Sequence, residues 1–198
     1  GGPVQNVADA PNGRGGLWAP DGSILFVPEY ATGLWRVSAT GGVAQPVVSP
    51  EAGKGERTYR WPVLLPGGRA VLFTAGSTDS PNDYDKARLV AFTFATGARR
   101  VVVEGVNMAA FVAPDTLVYA RAGELFAVRF DASRLEVVGQ ATPVLEGVAG
   151  DPSSGAAHFA VANDGTLAAV RGAGSKVNRR LTLVDRKGVA QRLPLTAR

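Results

Sequence analysis

The sequence contains no cysteine, one histidine and one methionine among its 198 residues. Without cysteine, the chain can form no disulfide, no thiolate nucleophile and no cysteine-based zinc site. It lacks any uninterrupted apolar run of the ~20 residues that a transmembrane helix requires, and no stretch keeps a helical period of apolar residues. These absences favour a helix-poor fold with its own core, since 45% of the residues are hydrophobic.

Turn residues are abundant, with 25 glycines and 13 prolines. The stretch Trp18–Val27 shows how they are used. Pro20 fixes φ near −65°, Asp21 can accept a hydrogen bond from the backbone ahead of it, and Gly22 tolerates a positive φ. An apolar run too short for a helix follows, so the stretch predicts a β-hairpin.

This hairpin recurs along the whole chain. The equivalent turns lie at intervals of 46, 48 and 49 residues, measured between Asp21, Gly67, Asp115 and Asp164. A period in the forties with four short strands per unit predicts a β-propeller. We therefore expect an all-β fold in one domain, residues 1–198, with about four four-stranded blades at residues 14–48, 59–103, 108–146 and 156–195.

One further strand is expected at residues 3–8, where it has no partners within the repeat. Each predicted blade already has its own fourth strand, so this extra strand has no vacancy to fill. We therefore predict an open arc rather than a closed ring. Uncovered β edges and blade faces invite pairing, so we expect the isolated chain to be oligomeric or poorly behaved.

The net charge is +4, but the basic residues are scattered. Only Arg99–Arg100 and Arg179–Arg180 are adjacent arginines. A nucleic-acid interface requires a clustered basic face. We therefore predict no nucleic-acid partner, and no membrane contact from this segment.

His158 is the only histidine and lies on a predicted innermost strand. Catalytic triads and metal sites normally surround histidine with partners. The sequence therefore favours a packing or channel-lining role, and together with the missing cysteines and nucleophile motifs it leads us to expect no enzymatic activity.

The loop around residues 79–85 is rich in oxygen ligands: Ser80, Asn82 and the carboxylates Asp79, Asp83 and Asp85. Such loops can hold calcium, but the spacing lacks the glycine and the terminal glutamate of an EF-hand. We therefore predict a solvated loop and no tight calcium site.

A glycine-rich segment and the three tryptophans are predicted to have structural rather than functional roles. The segment Gly172–Lys176 is not a phosphate-binding loop, because its serine precedes the lysine and a strand follows. The three tryptophans are expected to pack between blades, with Trp18 and Trp61 mostly buried; they are Trp18, Trp35 and Trp61.

The ordered set of motifs resembles the TolB-like, WD-like repeats of six-bladed β-propellers, and in particular the C-terminal propeller of bacterial serine/threonine protein kinases. The resemblance covers essentially the whole chain, although three of the four turns depart from the Pro-Asp-Gly pattern. It rests on Gly16–Gly22, Gly33–Val37, Ala39–Gly42, Arg60–Pro62, Leu65–Arg69, Gly123–Asp131 and Arg134–Glu136.

The resemblance implies an open fragment of a six-bladed propeller that serves as an extracytoplasmic sensing or interaction module. We expect a non-enzymatic binding or scaffold segment of a receptor-type kinase, on the periplasmic or cell-surface side and tethered by a transmembrane segment outside this chain. A protein or small ligand would bind at the loops or the channel mouth. No catalytic residue, metal or cofactor is expected.

Two other functions remain open at the level of sequence. The chain could be the substrate-gating propeller of a prolyl-oligopeptidase-like peptidase whose catalytic domain lies elsewhere. A sugar-binding or lactonase-like propeller with a metal in the channel is less favoured, because the predicted innermost strands carry no carboxylates.

Overall fold

The computed structural model describes residues 4–172, 182–184 and 190–192 of the chain. Helical structure in this part is limited to three short 3₁₀ turns, at Ala52–Lys54, Pro66–Gly68 and Tyr84–Lys86. No helix among the described residues has the length and apolarity needed to cross a bilayer. The prediction of an all-β chain is confirmed.

Three four-stranded antiparallel sheets follow one another along the chain, and in each the strands pair in sequence order. The first contains β1 (Gly16–Trp18), β2 (Ser23–Phe26), β3 (Leu34–Ser38) and β4 (Gln45–Val48). The second contains β5 (Glu56–Leu64), β6 (Ala70–Ser77), β7 (Arg88–Thr93) and β8 (Arg99–Glu104). The third contains β9 (Met108–Val112), β10 (Thr116–Arg121), β11 (Glu124–Asp131) and β12 (Glu136–Leu145).

The first hairpin forms where the turn residues predict it. The amide of Ala19 donates to the carbonyl of Ser23 at 2.8 Å, and Gly22 takes a φ of 79°. The carboxylate of Asp21 accepts the amide of Ser23 at 3.0 Å. Its hydrogen bonds with the hydroxyl and the amide of Ser23 hold the pKa of Asp21 below its usual range.

The same side-chain turn recurs wherever aspartate stands two residues before serine or threonine. In each case the carboxylate accepts the amide of the second residue after it, which is Ser133, Ser153 or Thr166. Hydrogen bonds from these partners lower the carboxyl pKa at every one of the three sites. The three aspartates are Asp131, Asp151 and Asp164.

The sheets stack face to face, with an apolar cluster at each interface. Strand β6 is buried on both faces, because Leu72 packs toward the third sheet and Phe73 toward the first. A third cluster, including Val118, Leu125 and Phe159, joins the third sheet to the segment that follows it. Burial on both faces explains why β6 is a continuous apolar run rather than an alternating strand.

The first strand of each sheet lies beside the first strand of the next, since β1 contacts β5 and β5 contacts β9. Backbone hydrogen bonds join the first two sheets at their starting ends. The amide of Trp61 donates to the carbonyl of Arg14 at 2.9 Å, and that of Tyr59 to the carbonyl of Thr32 at 2.9 Å. The first strands of successive sheets therefore gather around a common axis.

The described part of the fourth repeat differs from the first three sheets. Its strands form two-stranded pairs, and the strand expected to carry His158 is interrupted at that residue. The amide of His158 donates to Ala149 and its carbonyl accepts from Val170, so its backbone bonds segments on two sides. The pairs are β13 (Gly150–Asp151) with β14 (Ala156–Ala157), β15 (Phe159–Val161) with β16 (Leu167–Ala169), and β17 (Thr182–Val184) with β18 (Ala190–Arg192).

The prediction of a strand at residues 3–8 is wrong for residues 4–8, which have no regular structure; residue 3 lies outside the described part. This segment is joined to the first sheet by a side-chain hydrogen bond, which the amide of Gln5 donates to the carbonyl of Thr40 at 3.3 Å. Residues 6–9 instead line a groove with Phe26 and Trp35 on the first sheet. A strand requires a partner edge, and this segment crosses the face of a sheet instead.

Trp18 is not buried as predicted: 68% of its surface is exposed. Its neighbour Leu17 packs into the cluster between the first two sheets. Because successive residues of a strand point to opposite faces, Trp18 lies on the face of the first sheet that points away from the second. Trp35 and Trp61 are half-buried.

Candidate functional site

The starting ends of β1 and β5 meet three connecting segments, residues 27–33, 78–87 and 146–155. We call this the loop end of the molecule. Arg60 links its parts, since its guanidinium donates to the carbonyl of Ser154 at 2.8 Å and to the carbonyl of Tyr30 at 3.1 Å. One side chain of the second sheet therefore binds both the loop between β2 and β3 and the segment that follows β12.

Arg60 is a buried cation without a carboxylate partner in the described part of the chain. Only 2% of its surface is exposed. Its Nε donates to the hydroxyl of Thr58 at 3.3 Å, and its guanidinium lies 4.4 Å from the centroid of the Tyr84 ring. Burial lowers the pKa of Arg60 to about 10, and the charges of Arg14 and Arg57 act in the same direction. Carbonyl dipoles and an aromatic face take the place of a counter-ion.

Tyr84 is held in a tight slot. A Cβ built on Gly155 would lie 2.5 Å from the ring, and Gly155 has a φ of 71°, so only glycine fits beside this face. Tyr84 is 3% exposed, yet its hydroxyl has no hydrogen-bond partner among the described residues. Burial raises the pKa of Tyr84, although the positive charge of Arg60 opposes the shift.

Two more arginines stand beside Arg60. Arg14 donates through Nη1 to the carbonyls of Asn12 and Gly13, at 3.1 and 3.0 Å. Arg57 donates through Nη1 to the carbonyl of Pro81 at 2.8 Å and lies over the ring of Tyr30, 5.7 Å from its centroid. We call Arg14, Arg57 and Arg60 the arginine cluster.

Within the described residues no member of the cluster forms an ion pair. The same is true of Arg69, Arg121 and Arg171, whereas six other arginines do pair with a carboxylate. The six paired arginines are Arg36, Arg88, Arg99, Arg100, Arg129 and Arg134. The three arginines of the cluster therefore lack a carboxylate partner in the described part of the chain, although the loop-end segments carry acidic residues at positions 29, 79, 83, 85, 146 and 151. The charge of Asp151 acts on Arg60, and the carboxylate of Asp151 accepts the amide of Ser153.

Buried polar atoms without a partner concentrate in this region. In the part of the chain that the structure describes, they are Arg14 Nε, Trp61 Nε1, Tyr84 Oη and Asn107 Oδ1. Asn107 immediately precedes β9 and, with Asp151, lines a small cleft of about 20 Å³. An unpaired buried donor costs about 1–3 kcal/mol, so such a concentration is typical of a site that a ligand or water completes.

The backbone is also strained here. Trp61 has a φ of 52° and lies in a bulge, where the pairing of β5 with β6 shifts register between Arg60 and Val63. The Trp61 ring packs against Gly15, whose added Cβ would lie 3.0 Å from it. Strained residues cluster at binding and catalytic sites more often than elsewhere.

The residues singled out from sequence lie elsewhere or serve the structure. His158 is exposed, and its side chain forms no hydrogen bond within the described residues, so a role in core packing does not apply. Most of Gly172–Lys176 lies outside the described residues. No group of three or more histidine or acidic residues converges as a metal site in the described part.

The acidic loop at 79–85 is bonded to its surroundings. Asp83 accepts the amide of Asp85 at 3.2 Å and pairs with Lys86 at 3.2 Å. Asp85 accepts the amide of Ala122, on the third sheet, at 3.1 Å. These carboxylates tie the loop to itself and to a neighbouring sheet. The absence of a tight calcium site there stays a prediction.

Sequence reasoning missed the arginine cluster. Its members come from the segment before β1 and from two positions on β5, and the tyrosines come from two different loops. Nothing in the local sequence shows that residues 14, 57, 60 and 84 meet. The one available signal is the pair Arg57 and Arg60, which lie on one predicted strand without an acidic neighbour at 58–62.

No protein family matches the chain by sequence, and no curated protein does either. Solved structures do match. Regucalcin of Agrobacterium tumefaciens, a calcium-binding protein, gives a TM-score of 0.57 at 16% identity over 91% of this chain and 59% of its own. The fold is a β-propeller. A luciferin-regenerating enzyme gives 0.54 at 13% identity over 91% of this chain and 74% of its own, and a streptogramin B lyase gives 0.51 at 11% over 96% and 57%.

The predicted fold class is therefore confirmed as an open β-propeller segment, and the chain spans 57–59% of the length of regucalcin and of the lyase. The expectation that the chain is not an enzyme is wrong, because it took the missing sequence motifs as evidence against catalysis. Two of these three propellers are named as enzymes. A propeller can assemble reactive side chains from several strands at one axis, so missing linear motifs do not exclude catalysis.

Proposed function

We propose that this propeller segment binds a ligand or protein partner at its loop end. The observation that supports this most directly is the arginine cluster, three cations without a carboxylate partner in the described part of the chain, beside the buried unpaired hydroxyl of Tyr84. The rigid stack of sheets behind the loops supplies the fixed frame that a binding site requires.

The repeat motifs support a more specific proposal about context. We propose that the chain is part of the extracytoplasmic sensor or interaction region of a bacterial receptor-type serine/threonine kinase, with a TolB-like, six-bladed parent propeller. The open reading frame that contains the chain tests this: a kinase domain and a transmembrane segment upstream are expected. An α/β-hydrolase domain downstream would instead favour the substrate-gating propeller of a peptidase.

Binding at the loop end is tested by a thermal-shift screen of peptides and small organic molecules, followed by hydrogen exchange with each stabilising compound. We expect protection in residues 27–33, 78–87 and 146–155. The turns at 19–22, 65–69 and 113–115, at the other ends of the same strands, serve as internal controls. Protection confined to those turns would show that binding occurs at the wrong end of the propeller.

A further inference from the structure

We infer that a cleft between the first two sheets binds a small neutral aromatic molecule that carries one hydrogen-bond acceptor. The cleft lies beside the hairpin turns at 19–22 and 65–69, at the opposite end of the strands from the loop end. The inference therefore goes beyond the proposed function and does not depend on it. Three observations carry it: the size and lining of the cleft, a fixed polar group on one wall, and a guanidinium N–H group without a partner.

The cleft has a volume of about 380 Å³ and is lined from both sheets. The first sheet contributes Leu25, and the second contributes Leu64 and Phe94. These side chains belong to, or pack against, the apolar cluster between the two sheets. An apolar cavity of about 150 Å³ accommodates benzene, and pockets for small organic molecules begin at about 300 Å³. The cleft therefore has the size and the apolar walls for a molecule of about one or two aromatic rings.

One wall of the cleft carries a hydrogen-bonded group, and its three members, Asp21, Ser23 and Arg36, all line the cleft. Ser23 is buried. Its hydroxyl donates to the carboxylate of Asp21 at 2.6 Å and accepts from Nε of Arg36 at 2.9 Å. Nη2 of Arg36 also pairs with Asp21. These bonds hold the guanidinium in one orientation, and the carboxylate balances its charge.

The next interface is built without this polar group. By the register of the second and third strands in each sheet, Ala70 corresponds to Ser23 and Ala91 to Arg36. Both alanines are buried in the apolar cluster between the second and third sheets. The stacking of the sheets therefore does not require the polar group, and ligand binding accounts for its place on the wall of the cleft.

Arg36 keeps part of its guanidinium for a ligand. It donates through Nε to Ser23 and through Nη2 to Asp21, whereas Nη1 bonds nothing among the described residues. About half of the surface of the Arg36 side chain is exposed, so a molecule in the cleft has access to it. Asp21 already balances the positive charge, and a second carboxylate beside it would be repelled. A neutral acceptor, such as a carboxamide oxygen, therefore suits this donor.

The test uses the full chain with naphthalene carboxamide as the probe, and saturation-transfer NMR of the small molecule detects binding. Naphthalene carboxylate differs from this probe by its charge, and acetamide lacks the rings. We expect saturable binding of naphthalene carboxamide, weaker binding of the carboxylate, and no binding of acetamide.

Substitution of the donor tests the polar contact. Arg36→Met removes the N–H groups and keeps an apolar stem, so we expect it to weaken the binding of naphthalene carboxamide by about tenfold. The matched control is Arg129→Met, because Arg129 pairs with Asp115 beside a turn of the third sheet, as Arg36 pairs with Asp21 in the first. The control should leave the affinity unchanged. Circular dichroism checks that both variants keep the native fold.

Hydrogen exchange on the unmodified chain locates the probe independently of any variant. We expect naphthalene carboxamide to protect residues 19–25 and 64–68 and to leave the turn at 113–115 unchanged. A compound from the thermal-shift screen that gives this pattern binds the cleft. A compound that protects 27–33, 78–87 and 146–155 instead supports the proposed function.

Three results would overturn the inference: no saturable binding of naphthalene carboxamide, tighter binding of the carboxylate than of the carboxamide, or an equal loss of affinity in Arg36→Met and Arg129→Met. Protection by the probe that leaves residues 19–25 and 64–68 unchanged would also overturn it. None of these results concerns binding at the loop end, so the two proposals fail separately.

Discussion

At the scale of single residues, Arg60 is the side chain that holds the loop end together. In place of a counter-ion, it bonds carbonyl oxygens of the β2–β3 loop and of the segment after β12, and it packs on the ring of Tyr84. Removing it would leave the carbonyls of Tyr30 and Ser154 without these donors inside the protein.

We predict that Arg60→Leu lowers the free energy of unfolding by about 3 kcal/mol, because buried polar groups lose their partners. Urea unfolding followed by circular dichroism measures this. The control is Arg129→Leu, which breaks an exposed ion pair and should cost less than about 1 kcal/mol. Equal costs for the two variants would mean that Arg60 is not the link between the repeats.

Tyr59 provides a pH-dependent test of the interface between the first two sheets. It is fully buried and stacks on Phe73, with ring centroids 4.2 Å apart. Burial, followed by the hydrogen bond that its hydroxyl donates to Glu56, raises the pKa of Tyr59 above its ordinary value. A raised pKa in the folded state stabilises the protein below the unfolded pKa of ~10, and this contribution is lost as the pH rises further.

We therefore predict that the urea midpoint falls above about pH 10 and that Tyr59→Phe reduces this fall. Tyrosinate absorbance, followed in parallel, should show that Tyr59 ionises only as the protein unfolds. Complete ionisation of all four tyrosines while the far-ultraviolet spectrum stays native would contradict the burial of this hydroxyl.

At the scale of elements, β6 is the strand on which the stack depends. Neighbouring residues of this strand enter different interfaces, since Leu72 belongs to the cluster with the third sheet and Phe73 to the cluster with the first. Both side chains are fully buried. The strand therefore couples three successive sheets.

We predict that Leu72→Ala costs about 2–5 kcal/mol and Phe73→Ala about 3–5 kcal/mol, each through lost burial and a cavity. Val101→Ala, on the exposed side of β8, is the control and should cost well under 1 kcal/mol. If either core variant behaved like the control, the corresponding interface would not be close-packed in solution.

At the scale of the whole molecule, one face of the first sheet has no neighbouring sheet among the residues that the structure describes. Trp18 stands exposed on that face, and the segment 6–9 lines a groove with Phe26 and Trp35. A large exposed aromatic side chain on a sheet face favours association. The exposed face of the first sheet is therefore the surface through which we expect copies of the chain to associate.

We predict that the chain forms concentration-dependent oligomers and that Trp18→Gln shifts it toward monomer. The unfolding free energy should change by less than about 0.5 kcal/mol, since little of Trp18 is buried. Light scattering over a range of concentrations measures the association, with Val43→Gln, an exposed apolar residue in the β3–β4 turn, as control. A wild-type chain that stays monodisperse and monomeric would refute this prediction.

The sequence by itself determined the all-β class, the repeat and the strands of the first three sheets. These depend on local chemistry: turn residues fix where strands begin, and side chains two apart fix which face is buried. The turns at Gly22 and Gly165 form as predicted because the aspartate, the glycine and the following serine or threonine act within four residues.

Tertiary structure alone decided the rest. Trp18 and Leu17 are neighbours of similar hydrophobicity, and only the position of the next sheet buries one and exposes the other. Residues 4–8 have the composition of a strand but pair with no strand edge in the described part of the chain. Arg14, Arg60 and Tyr84 are 24 to 70 positions apart in the sequence. Only the meeting of the first strands at the axis brings the arginine cluster and this tyrosine to one end of the molecule.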